Sequence, residues 1–451
     1  MFQLPKEVKD FMKVFKDNGF EIYLVGGAVR NLLLGKKIDN FDFATNAKIE
    51  EMLNLFKNAK YTNQYGTVIV PIKKDGDLQA VFEITPFRKE SGYSDFRHPD
   101  KIEWADTLEE DLQRRDFTIN AIAYDGKKII DPFGGKEDLE KKLIRAVGDP
   151  DKRFREDALR LLRAVRFSSQ LGFMIEDKTR ESIKKNSRLI TYISWERIRD
   201  EFLKILASPF AAEGVMFMHN LGLLKYILPE LERCFGVEQK SPKRHHIYDV
   251  GTHLVQSLKH CPSKDAITRF AVLIHDIGKP LTFRRTEEGV ITFYNHEIVG
   301  ARLAEKIADR FRLSNKQKDK LIRLVRYHQF TLNEFQTDKA IRRFIRNVGK
   351  EYLQDMLDLR VADRVGSGAK PTSWRFEKFK KRLEEVQKEP FSIKDIKIDG
   401  YDVMQVLGLS PGPEVGKILQ DIFKKVVEKK LENKRDVLLK YIQSLKKESK
   451  T

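Results

Sequence analysis

The stretch that most constrains the fold is Tyr23–Thr45, YLVGGAVRNLLLGKKIDNFDFAT. Ile22, Tyr23, Leu24 and Val25 form a short apolar run that stops at Gly26-Gly27. Ala28, Val29, Leu32 and Leu33 then recur at helical spacing, and Gly35 is placed as a helix stop. Phe41 and Phe43 alternate with Asn40, Asp42 and Ala44, which is the period of a strand. The order is therefore strand, glycine turn, short helix, second strand. One face of the second strand is apolar, and the other offers polar side chains to a cleft. Two glycines between a strand and a helix let backbone approach a ligand and aim N–H groups at an anion. A carboxylate one strand later is a hard oxygen ligand for Mg²⁺. Gly26, Gly27, Arg30 and Asp42 thus read as a site for a metal-bound triphosphate.

The chain has 451 residues, enough for about three domains with cores of their own. Charged residues make up 34% and the formal charge is +18, so a polyanionic partner is expected, most naturally nucleic acid. The plainer reading is a basic surface kept for solubility. Cys234 and Cys261 have no metal-type spacing and form no disulfide framework, which predicts a reducing cytoplasm. No apolar run approaches the ~18 residues of a membrane span. The N-terminal MFQLPKEVKDFMKVFK reads as a helix stopped by Gly19, without a signal-peptide core.

Downstream, the pattern predicts a helix over 49–56 and paired strands over 67–72 and 79–85, with Glu83 between Phe82 and Ile84. Residues 86–106 mix aromatic, basic and acidic side chains without a period and read as a loop. Arg114 and Arg115 precede Asp116; adjacent arginines suit triphosphate oxygens, and an aspartate accepts from a ribose hydroxyl. The glycines of Asp131-Pro-Phe-Gly-Gly-Lys-Glu-Asp138 predict a turn. From Arg153 the chain is expected to be helical: in EDALRLLRAVRF, Asp157, Arg160, Arg163 and Arg166 recur every three residues on one broad face. The bland reading is a basic helix face holding acidic neighbours. The specific one has Asp157 and Arg160 offering fixed acceptor and donor groups to a base edge.

The second half carries His253, His275-Asp276 and Asp363, imidazoles and carboxylates on separate predicted helices that can converge on a divalent metal. His296 and His328 are candidates for a second site or for facing phosphate. The Trp195-Glu196-Arg197-Ile198-Arg199-Asp200-Glu201-Phe202 helix reads as structural. Phe376–Val386 is a charged amphipathic helix, and Pro413 opens another. The last 31 residues hold 10 Lys/Arg against 5 Asp/Glu, so salt-sensitive RNA binding is expected there.

GGAVR, LLLG and FDFAT resemble the nucleotidyltransferase signature of the class II tRNA nucleotidyltransferases (CCA-adding enzymes) and bacterial poly(A) polymerases. That signature has Asp-x-Asp where this chain has Asn40-Phe41-Asp42, with Asp39 one position early. The resemblance implies catalytic and Mg²⁺-binding roles for Asp42 and Asn40, with Glu83 completing the cluster. An amide brings no charge, so weak metal binding and reduced chemistry are expected unless Asp39 substitutes through a bulge. RRDFTINA is similar to the family's ribonucleotide-selecting motif. Residues 86–106 match its flexible loop, whose presence favours A addition. Asp131–Leu139 resembles its hinge motif. EDxxR resembles its protein template, which implies base selection by Asp157 and Arg160, with Arg163 and Arg166 holding phosphates or tuning the template; the nucleotidyltransferase signature and RRDFTINA imply nucleotide-binding roles for Gly26, Gly27 and Arg30 and for Arg114, Arg115 and Asp116. His253, His275, Asp276 and Asp363 follow the order of the HD phosphohydrolase superfamily and imply a second divalent-metal site.

The fold class expected is an α+β nucleotidyltransferase head with a mixed sheet, then an all-α neck, an HD-type helical body and a helical tail. The expected boundaries are 1–145, 146–235, 236–370 and 371–451. The function implied is CCA addition to the 3′ end of tRNA from CTP and ATP. The rivals are an A-adding tRNA nucleotidyltransferase, a bacterial poly(A) polymerase, and an HD-domain metal phosphohydrolase with an inactive head.

Overall fold

The computed structural model describes residues 2–38, 40–61, 66–74, 77–93, 101–239, 248–330, 337–388, 393–428 and 430–448. Asp39 lies outside them. Helix α1 (Lys6–Asp17) buries Val8, Phe11, Met12 and Phe15 on one side, and the chain then turns through Gly19 at φ 81°. The organising stretch folds as β1 (Ile22–Val25), α2 (Gly27–Leu33) and β2 (Phe41–Thr45). Helix α3 (Ile49–Leu55) leads to β3 (Lys60–Tyr61), β4 (Val68–Lys74) and β5 (Asp77–Pro86).

The expected loop over 86–106 is corrected at its two ends, which pair as strands β6 (Arg88–Ser91) and β7 (Lys101–Trp104); 94–100 lie outside the described residues. Backbone pairing of an otherwise aperiodic segment supplies the order that its side-chain pattern does not announce. After α4 (Leu108–Gln113), the short β8 (Ala123–Tyr124) and β9 (Ile129–Ile130) complete a seven-stranded mixed sheet of order β3-β4-β5-β2-β1-β8-β9. Only β2 and β5 pair in parallel among its described strands. Phe11, Phe43 and Phe82 meet on one face of this sheet, with ring centroids 4.9–5.4 Å apart. Asp42, one residue from Phe43, is thereby turned toward the opposite face.

Helices α5 (Gly135–Lys141), α6 (Pro150–Glu156), α7 (Leu159–Leu171), α8 (Asp177–Asn186), α9 (Trp195–Leu206) and α10 (Ala211–Asn220) follow. The helix expected to run on from Arg153 is broken: Asp157 has extended backbone (φ −138°, ψ 104°) between α6 and α7. Its carboxylate caps the new helix by accepting from Leu159 N at 3.0 Å, so an aspartate that competes with the ladder for backbone donors starts a helix here. Short α11 (Leu224–Ile227) and α12 (Pro229–Glu232) precede α13 (Val250–Lys259), α14 (Ala266–Ile274), α15 (Lys279–Thr282), α16 (His296–Arg310) and α17 (Asn315–Tyr327). Phe202, Phe270 and Phe311, 5.1–5.5 Å apart, join α9 to α14 and to the end of α16 in one core.

Contacts divide the chain into two units, one of Met1–His328 with Leu357–Ala369 and the other of Gln329–Met356 with Lys370–Thr451. Residues 329–356, expected within 236–370, belong to the second unit. There the rings of Phe330, Phe344 of α18 (Asp338–Val348) and Phe379 pack tilted and edge-on, with centroids 4.7–5.5 Å apart. Helix α19 (Leu353–Gly366) carries Asp363 back into the first unit. In the second, α20 (Trp374–Lys388) is followed by α21 (Gly400–Leu407), α22 (Pro413–Val427) and α23 (Arg435–Glu448) around Val403, Ile422, Leu438 and Ile442.

Candidate functional sites

A cleft of about 620 Å³ opens where the polar face of the sheet meets α7. Gly26, Gly27, Arg30, Asp42, Arg114, Arg115, Asp116, Asp157, Arg160, Arg163 and Arg166 all line it. Gly26 sits at φ 68°, and a Cβ there would meet Arg115 Nη1 at 3.0 Å, so only glycine keeps the turn and the arginine together. Glu83 is the register partner of Asp42 in the parallel β2–β5 pair, which puts both carboxylates on one face. Burial, and then the Glu83 charge, hold the Asp42 carboxyl above the usual carboxylate range, against the opposing pull of Arg115. Two oxygen-donor groups whose repulsion a cation would relieve fit a hard divalent ion. Asn40 is exposed just before β2, two residues from Asp42.

Arg30 is partly buried against neutral partners. Its Nη1 donates to Asn120 Oδ1 at 2.7 Å, and its guanidinium lies 5.1 Å from the Phe167 ring centre. Burial and the neighbouring Arg166 and Arg163 charges lower its pKa to about 10. Arg163 and Arg166 approach the same ring, at 5.5 and 4.0 Å. Such crowding of cations favours an anion in the cleft.

The remaining arginines are organised by acids. Fully buried Asp111 on α4 takes Arg114 Nη2 at 2.7 Å and Arg115 Nη2 at 3.1 Å through its two oxygens. Arg163 donates to Asp116 Oδ2 from Nε at 2.8 Å and from Nη2 at 2.5 Å. Asp116 Oδ1 accepts from Phe117 N and Asn120 Nδ2. Although burial resists charge on Asp116, Arg163 and these hydrogen bonds hold its carboxyl well below the usual range. Arg160 donates to Glu156 Oε2 at 2.7 Å, Arg153 O at 3.1 Å and Arg114 O at 2.9 Å; Arg166 pairs with Glu201 at 2.6 Å. The arginine ladder is therefore both a cleft wall and a set of ion pairs joining head to neck.

Sequence reasoning missed Asp111, Asn120, Glu156, Phe167, Arg197 and Glu201. The i,i+3 and i,i+4 spacing of Asp111 to Arg114 and Arg115 was an available signal; nothing local marks Glu201.

A second cluster lies among α13, α14, α16, α17 and α19. His253, His275 and Asp363 form one group of converging ligand atoms, and Asp276, His296 and His328 form another. His275-Asp276 is thus split between them. His253 Nε2 and His275 Nε2 are 3.2 Å apart, with Asp363 Oδ1 3.4 and 3.7 Å from them. Asp276 Oδ1 lies 3.1 Å from His296 Nε2 and 3.5 Å from His328 Nε2, while Oδ2 faces His253 and His275 at 3.5 and 3.4 Å. The outer ring nitrogens of His275, His296 and His328 each lie 2.7–2.8 Å from a backbone carbonyl, which orients Nε2 inward. Burial opposes charge on His275, but the Asp276 and Asp363 carboxylates beside it hold its pKa up at about 10. Lys279 Nζ, absent from the sequence reading, lies 2.5 Å from Asp276 Oδ2.

An α+β head with a carboxylate pair on one sheet face and an arginine-lined cleft, set on a helical body, is the class that fold and cleft define. The family model of the poly A polymerase head domain matches residues 22–145. That of the probable RNA and SrmB-binding site of polymerase A matches 172–235, and that of the putative tRNA nucleotidyltransferase domain 2 matches 285–442. The CCA-adding enzyme of Ligilactobacillus salivarius is 33% identical over 448 residues, 98% of each chain. That of Geobacillus kaustophilus is 47% identical over 218 residues, 48% of this chain; this chain spans about half the length of such relatives, 53% in that case. The solved structure of the Bacillus stearothermophilus CCA-adding enzyme in complex with CTP is 27% identical, with 99% of both chains covered and a TM-score of 0.67. The chain belongs to the class II tRNA nucleotidyltransferase and poly(A) polymerase family. Among the described residues, no helix is long and apolar enough to cross a membrane.

Proposed function

We propose that this protein adds CCA to the 3′ end of tRNA, taking CTP and ATP as substrates and choosing the base with its own side chains. The observation that carries this reading is that Arg30, partly buried without a carboxylate partner, lines one cleft together with Asp42, Asp157 and Arg160. Asp42, Glu83 and the Asn40 amide would hold Mg²⁺. Bound there, the metal would lower the pKa of the tRNA 3′-hydroxyl and neutralise charge on the leaving group. The 3′ oxygen forms its bond to the α-phosphorus as the bond to the bridging oxygen breaks and pyrophosphate leaves. Arg30, Arg115 and the Gly27 backbone hold the triphosphate in line for that exchange. Asp157 accepts from a base amine and Arg160 donates to the neighbouring ring nitrogen, an arrangement that C and A share. The basic C-terminal helices 371–451 bind the tRNA body, and the protein works in the cytoplasm.

The test is incorporation on tRNA transcripts ending at the discriminator base, at C and at CC. Completion of all three to CCA, followed by arrest, is the expected result. Addition to the CC-ended transcript alone would replace this reading with an A-adding enzyme, and long A tails with a poly(A) polymerase. No incorporation, with Asn40→Asp also inactive, would leave the phosphohydrolase.

The convergence of six candidate ligands, five of them buried and Asp363 partly so, favours a second activity-bearing site in 236–370. His253, His275 and Asp363 would hold one divalent ion and His296 and His328 another, with Asp276 between them, a donor set of imidazole and carboxylate suited to transition metals. Metal analysis of the purified protein tests it, and one or two bound equivalents are expected.

A further inference from the structure

The carboxylate assigned to the base is already held by a residue of another helix. Arg197, on α9, donates from Nη2 to Asp157 Oδ2 at 2.9 Å and from Nη1 to Oδ1 at 3.3 Å. Oδ1 also takes the Leu159 N–H. Both side chains line the cleft. Because Asp157 lies in the break between α6 and α7, no helix turn fixes its direction; the Arg197 fork and one backbone N–H set the plane of the carboxylate.

This has a consequence for base choice. A carboxylate has about four lone-pair positions, and these contacts fill all but roughly one, on Oδ2. Cytosine and adenine each present an exocyclic amine beside a ring-nitrogen acceptor. Uracil and guanine present a carbonyl beside a ring N–H. One open acceptor position, held in a fixed direction, welcomes the amine and repels the carbonyl. A carboxylate free to rotate would discriminate less, since it could turn away from the wrong base toward another donor. Arg160 is fixed in parallel by Glu156, Arg153 O and Arg114 O, so both halves of the reading pair are held from outside.

We propose that Arg197 is a positioning residue for nucleotide selection: it orients Asp157 so that the cleft accepts CTP and ATP and rejects UTP and GTP. The inference rests on the cleft being the base-selecting site of a CCA-adding enzyme. It differs from a purely architectural role for α9, in which Arg197 tethers one neck helix to the next and every nucleotide depends on it equally.

The experiment compares kcat/KM for CTP against UTP on tRNA ending at the discriminator base, and for ATP against GTP on tRNA ending in CC, in wild type, Arg197→Met and Arg197→Lys. Losing a charge-assisted bidentate contact predicts a drop in both selectivity ratios on the order of 10- to 100-fold in Arg197→Met. The loss should lie mainly in the KM of the correct nucleotide, with the KM for tRNA unchanged. Arg197→Lys keeps the charge without the fork and should fall between. Equal losses for all four nucleotides, with the ratios within about threefold of wild type, would overturn the proposal. If Arg197→Met does not fold, Arg197→Lys decides alone by the same ratios. A wild type without preference among the four nucleotides would instead refute the base-selecting cleft itself, and a selective wild type with equally selective variants would refute only the role of Arg197.

Discussion

Replacing Arg163 by leucine should destabilise the first unit by about 2–3 kcal/mol and leave its mark on Asp116. The pair joins α7 of the neck to the head, and its side chains are 33% and 8% exposed for Arg163 and Asp116. Removing one partner of a wholly buried pair costs roughly 3–5 kcal/mol because the other charge is stranded; the partly exposed guanidinium lowers that figure. The lost contacts are the two donations to Asp116 Oδ2; Phe117 N and Asn120 Nδ2 still serve Oδ1. The sign with pH follows from the depressed carboxyl. A folded pKa below the unfolded value of about 3.9 gives stability that is present above that pH and lost as pH falls below it. Urea unfolding of Arg163→Leu, Asp116→Asn and the double variant at pH 7 and at about pH 3 measures this. The double variant should be more stable than Arg163→Leu alone, with a coupling of about 1 kcal/mol or more, and the gap should narrow at about pH 3. Additive effects within about 0.5 kcal/mol, or a gap independent of pH, would refute the account of a stranded buried charge.

Four further outcomes are expected. Asn40→Asp should raise nucleotide incorporation at least about tenfold, the equivalent of ~1.4 kcal/mol of barrier; an unchanged rate in a single-turnover assay would mean that another group already completes the cluster. Arg30→Met should weaken nucleotide binding on the order of 10- to 100-fold, with tRNA affinity kept, as read by equilibrium dialysis. Because Arg30 has a pKa near 10, wild-type nucleotide affinity should decline as pH rises through that value, where an ordinary arginine would hold its charge. In the second cluster, Asp276→Asn should lower metal content at both positions and His328→Ala at one, as counted by mass spectrometry, while CCA addition persists in each.

Legibility in the sequence followed the range of the interaction. The β1–α2–β2 frame was readable because its signals are local: two glycines, helical spacing of Ala28, Val29, Leu32 and Leu33, and the alternation about Asp42. Glu83 was readable because a strand presents alternate residues, but its place beside Asp42 needed a parallel pairing that no short window contains. The arginine ladder showed which face of α7 is basic, yet not that Asp116, Glu156 and Glu201 would hold it, since all three acids lie outside α7. The break at Asp157 was hidden for a different reason. Capping and helix continuation compete at an aspartate with little between them, and the carboxylate freed by the break is bonded by Arg197, a residue on another helix that no local window contains.

The same competition gives the site its character. An aspartate left inside a regular helix would be aimed by that helix, and the base would meet a direction set by backbone geometry. Released at a helix start, Asp157 is aimed by what bonds to it. Asp111 similarly aims Arg114 and Arg115, and Asn120 ties Arg30 to Asp116 and hence to Arg163. Asp157, Arg30, Arg163 and Arg166 are thus held by partners from other segments of the head or neck, and Arg114 and Arg115 by an acid of their own segment. Such a cleft is ordered before the nucleotide arrives, so the cost of fixing the arginines is met in folding and less is charged to binding. Selection then depends on packing between segments far apart in sequence, and the substitutions that blur it should include residues that never touch the base.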